Sequence, residues 1–108
     1  MYVPYWLSAR PGFTLRFVKR VAKKIFGIND RINDIDRELA FTRAELEYHR
    51  SINEDAQRDA AVGNYIDREE ASLTRGDVRR FERTIEKLVV RRAKLEDKRA
   101  TLLDQLPD

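Results

Sequence analysis

Apolar residues recur along this chain in steps of three and four: Val18, Val21, Ile25, Ile28, Ile32, Ile35, Leu39 and Leu46 form one stripe. Such spacing keeps side chains along one seam of an α-helix and predicts a long helix packed on a partner. A second stripe follows through Val78, Phe81, Ile85, Leu88, Leu95, Leu102 and Leu106. Between and around the stripes, helix-breaking and capping residues set the boundaries. Pro11-Gly12 interrupts the chain, and Thr14 then suits the N-cap of a helix reaching Phe26. Gly27, followed by Asn29-Asp30, predicts a kink or hinge. One long helix is expected over 30–62, ended by Gly63-Asn64. Residues 63–74 read as a connector. Thr74-x-x-Asp77 resembles a capping box opening a second helix that runs to about Leu106, before Pro107.

The predicted architecture is all-α: an antiparallel two-helix coiled-coil hairpin over 30–108, with helices at about 30–62 and 75–106. Residues 1–29 precede it as an interaction segment, an aromatic arm followed by a basic amphipathic helix. Matching the stripes predicts a register. Ala60 faces Val78, Ala56 faces Phe81, Asn53 faces Ile85 and His49 faces Leu88. Leu46 then meets Arg92, Thr42 meets Leu95, Leu39 meets Arg99, Ile35 meets Leu102 and Ile32 meets Leu106. Small residues oppose large ones near the turn, as close packing requires. Arg92 and Arg99 are expected to reach acids of the first helix such as Glu45 or Glu38. This register leaves Val18, Val21, Ile25 and Ile28 without an internal partner.

Charge sharpens the picture. Residues 1–29 carry six cations and no acid, residues 30–72 twelve acids against six bases, and residues 73–108 ten bases against seven acids. The first block is organised. Arg16, Lys19, Arg20, Lys23 and Lys24 fall on one half of a helical wheel; Phe13, Phe17, Val18, Val21, Ile25 and Phe26 fall on the other. A basic amphipathic helix suits an acidic protein groove, an anionic membrane surface or the phosphates of nucleic acid. Tyr2, Tyr5 and Trp6, set among prolines, add large rings of the kind that favour interfaces. The expected partner-binding residues are Tyr2, Tyr5, Trp6, Phe13, Arg16, Phe17, Lys19, Arg20, Val21, Lys23, Lys24 and Phe26. Phe41, Tyr48 and Ile52 lie opposite the seam of the long helix and predict a second contact surface.

Chemistry narrows the function classes. Without cysteine, no thiolate catalysis, disulfide or zinc-thiolate site is available. There is no Gly-rich phosphate loop, and the lone His49 sits mid-helix beside Glu45, too sparse a set for a metal. Neither a metal nor an organic cofactor is expected, nor a small-molecule substrate. Arg75-Gly76-Asp77 spells a receptor-recognition tripeptide but falls at an expected helix start, which explains it better. No apolar run approaches the roughly 20 residues of a membrane-spanning helix, and no secretory signal pattern is present, so a cytoplasmic location is expected. The reading is a non-enzymatic interaction or assembly protein, docking on a larger complex through its N-terminal segment. A protein partner or a homo-oligomer is expected first; nucleic acid and an anionic membrane surface are the alternatives.

Overall fold

The computed structural model describes residues 14–63 and 65–107, and these form an all-α helical hairpin without strands. Helix α1 is Leu15–Val62 and helix α2 is Tyr65–Asp104. The chain opens as its capping chemistry dictates. Phe17 N–H donates to Thr14 Oγ1 at 3.1 Å and Val18 N–H to the Thr14 carbonyl at 3.0 Å, satisfying donors that the first helical turn leaves orphaned. At the far end, the N–H groups of Gln105 and Leu106 bond three residues back, to Leu102 and Leu103, both at 3.1 Å. This is the tightened last turn common at helix ends.

Two boundaries differ from the sequence expectation. The helix passes through Gly27 without a break, so the basic amphipathic stretch is the first part of α1 and not a separate element. One helical glycine costs about 1 kcal/mol. Ile25, Ile28 and Ile32, all buried, hold the seam in phase across it. The second difference is at the turn. α2 begins at Tyr65, ten residues before the expected start, because Asp67-Arg68-Glu69-Glu70-Ala71 is a run of residues that a helix accommodates readily, with an acid in its first turn. Thr74 therefore caps nothing. Its hydroxyl lies 3.1 Å from both the Ala71 carbonyl and Asn53 Oδ1.

Packing divides the chain into two units, one of α1 up to Asp34 with α2 from Arg92 onward, the other Ile35–Arg91. In the first, Val21, Ile25, Ile28, Ile32 and Leu95 are buried, and Arg99 Nη1 donates to Asn29 Oδ1 at 2.8 Å. In the second, the small residues Ala56 and Ala71 are buried near the turn, where they let two backbones approach. Gln57 Nε2 donates there to the Ala71 carbonyl at 3.0 Å and to Asn53 Oδ1 at 3.1 Å. Further from the turn, His49 stacks on Phe81 with ring centroids 4.8 Å apart, and Arg50 of α1 lies 3.9 Å from Glu82 of α2. Thr42, a polar residue within the seam, is buried and donates to the Glu38 carbonyl at 2.7 Å, so its hydroxyl is satisfied.

These contacts correct the register. His49 meets Phe81, seven residues before the expected Leu88, and Arg99 meets Asn29, ten residues before the expected Leu39. Arg92 bonds Glu96 on its own helix. The first part of the apolar stripe is not left open: Val21 is only 3% exposed, and Ile25 and Ile28 each 7%.

Candidate functional site

A candidate surface starts from what the first turns of α1 leave outside. Arg16, Lys19, Arg20, Lys23 and Lys24 are all exposed. Val21, Ile25 and Ile28 turn inward, as helical spacing places them on the opposite side of α1. Arg20 sits over the Phe17 ring, its guanidinium carbon 5.9 Å from the centroid, while Phe17 itself is half-buried. Phe26 is exposed at 66% and Leu15 at 69%. The surface therefore combines five cations with two exposed apolar side chains. Of the expected anchors, Val21 is the one placed in the core. Tyr2, Tyr5, Trp6 and Phe13 lie outside the described residues.

Alongside this face the first unit contains an open groove of about 530 Å³. Lys24, Gly27, Ile28 and Arg31 of α1 line it, with Lys98, Thr101 and Leu102 of α2. Ile28 and Leu102 supply an aliphatic floor, and the exposed Lys24, Arg31 and Lys98 supply the rim; among the described residues no carboxylate lines it. Gly27 contributes by lacking a side chain, since a Cβ there would meet nothing within 4 Å. The sequence pattern marks Gly27 only as a kink or hinge. That it opens a groove depends on which α2 residues stand opposite, which the heptad pattern alone does not fix.

The residues expected to form a second contact surface differ in burial. Phe41 and Tyr48 are exposed, and the Tyr48 ring meets His49 edge-on at 5.6 Å. Ile52 is half-buried and lines a smaller cleft of about 150 Å³ with Asp55, Ala56, Asp59, Asp67 and Glu70. His49 Nε2 lies 3.9 Å from Glu45 Oε2, and among the described residues no three His, Cys, Asp or Glu side chains are grouped to hold a metal ion. Arg75-Gly76-Asp77 lies within α2, where Arg75 donates to Gln57 Oε1 at 2.7 Å and Asp77 pairs with Arg80. Among the described residues no helix is long and apolar enough to cross a membrane.

Compared with protein-family models, with curated proteins and with solved structures, the chain matches none.

Proposed function

We propose that this chain is a non-enzymatic interaction protein, a helical hairpin that docks on a larger assembly through the basic face at the start of α1. One observation carries the reading. Arg16, Lys19, Arg20, Lys23 and Lys24 stand exposed within nine residues, and none of them has a carboxylate partner among the described residues. Concentrated like charge of this kind is relieved by an anionic partner, which it also attracts and orients. Phe26 and Leu15 add apolar contact beside it. The experiment is site-specific photo-crosslinking in the native extract, with a photoreactive residue at Lys19 or Lys23 and a control at Glu86 on the exposed surface of the second unit. Discrete adducts from positions 19 and 23 and none from 86 support the reading; equal labelling from all three contradicts it.

A nucleic-acid reading is favoured by one further feature. In the first unit Lys94 and Lys98 follow one another on α2 at a step of four, both exposed. Phosphate contacts from these cations would weaken with salt. Full-chain binding to RNA or DNA at low salt, lost near 0.5 M salt, supports this reading, and no retardation at low salt removes it. Membrane insertion gains less, because the apolar half that a bilayer would receive includes Val21 and Ile25, which are buried.

A further inference from the structure

The groove of the first unit and the turn of the hairpin are complementary in two kinds of chemistry at once. The groove is an aliphatic floor inside a cationic rim. At the turn, Val62 is 90% exposed and Tyr65 73%. Around them, residues 54–70 hold Glu54, Asp55, Asp59, Asp67, Glu69 and Glu70 against Arg58 and Arg68, six acids to two bases. The turn is thus an apolar knob inside an acidic collar.

We propose that the groove receives the hairpin turn of a second copy of this chain. Val62 and Tyr65 of one copy cover Ile28 and Leu102 of the other, while Asp59, Glu69 and Glu70 approach Lys24, Arg31 and Lys98. This rests on the interaction-protein reading and names a partner for it. A second copy fits better than nucleic acid because the occupant must bring apolar side chains to Ile28 and Leu102 as well as negative charge to the rim. The two patches are different surfaces, so the contact is heterologous. It propagates into chains or rings, or closes a pair if two copies satisfy both contacts together. A contact dominated by exposed charges is weak and screened by salt.

Sedimentation velocity on the full chain tests this. The weight-average mass is expected to rise with protein concentration at low salt, and the association to weaken at least ~10-fold between ~50 and ~500 mM salt. Two variants, K24E/R31E/K98E and D59K/E69K/E70K, are each expected to remain monomeric. Mixed in equal amounts they are expected to associate again, because the native turn of the first meets the native groove of the second. Far-UV circular dichroism confirms that each is folded. Should a triple variant unfold, Gly27→Leu gives a second test: it fills the groove in a helix-favouring way and should abolish association with helicity kept. A wild-type chain that stays monomeric at low salt overturns the proposal, as does undiminished association of a folded groove variant or failure of the mixture to associate. Crosslinked partners retained from positions 19 and 23 alongside such a failure would leave the docking function standing without self-recognition.

Discussion

His49 of α1 stacks on Phe81 of α2, ring centroids 4.8 Å apart and planes inclined by 33°. The pair ties the second unit to one register, because a slip of one heptad would place Leu88 where Phe81 now lies. A double-mutant cycle on His49→Ala and Phe81→Ala, read by urea unfolding, should show a coupling of about 0.5–1.5 kcal/mol. The cycle pairing His49→Ala with Leu88→Ala should be additive within about 0.5 kcal/mol. The reverse result would restore the pairing of His49 with Leu88.

Two helices with heptad-like stripes present the same faces after a shift of seven residues, so apolar periodicity cannot choose between them. The choice falls to the turn and to polar pairs. Thr74-x-x-Asp77 looked like a helix start, yet Gln57 and Asn53 reach across to Ala71 and Thr74, and these contacts form only if the helix already exists at Ala71. Thr14 as a cap and Val62 as the end of α1 were readable because local chemistry decides them. The basic face was readable for the same reason. Gly27 as part of a groove was not, since that role needs Lys98, Thr101 and Leu102 to stand opposite.

The three described glycines should respond differently to alanine. At Gly27 and Gly76 a Cβ meets nothing within 4 Å, so Gly27→Ala and Gly76→Ala should each stabilise the hairpin by about 0.5–1 kcal/mol. At Gly63 a Cβ would come within 2.5 Å of the Asp59 carbonyl oxygen and crowd the Asp67 carboxylate, so Gly63→Ala should destabilise. Melting temperatures of the three variants provide the comparison. A loss of stability for Gly27→Ala would mean that α1 is bent there.

Helical neighbours on opposite sides of α1 should separate core from surface. Ile28→Ala removes a buried side chain and should cost about 2–4 kcal/mol, whereas Phe26→Ala removes an exposed ring and should cost under ~1 kcal/mol. Equal costs would contradict the placement of the first stripe residues in the core. For the same reason, removing residues 1–27 should destabilise the first unit, since Val21 and Ile25 leave with them.

Loss of the N-cap offers a local probe. Thr14→Ala should cost about 0.5–2 kcal/mol, with faster hydrogen exchange at the Phe17 and Val18 amides, while Thr14→Ser should leave both nearly unchanged. Unaltered exchange in Thr14→Ala would show that the first turn is held by something other than its cap.

The docking account is tested most directly by affinity capture from the native extract with the full chain and its R16E/K19E/K23E variant, at matched helicity. All three positions are exposed and without an ion pair among the described residues, so the fold should survive the reversal. The account predicts that the wild-type chain recovers a defined set of partners that fades as salt rises, and that the variant recovers none of them. Capture of the same partners in the same amounts by the folded variant would contradict it.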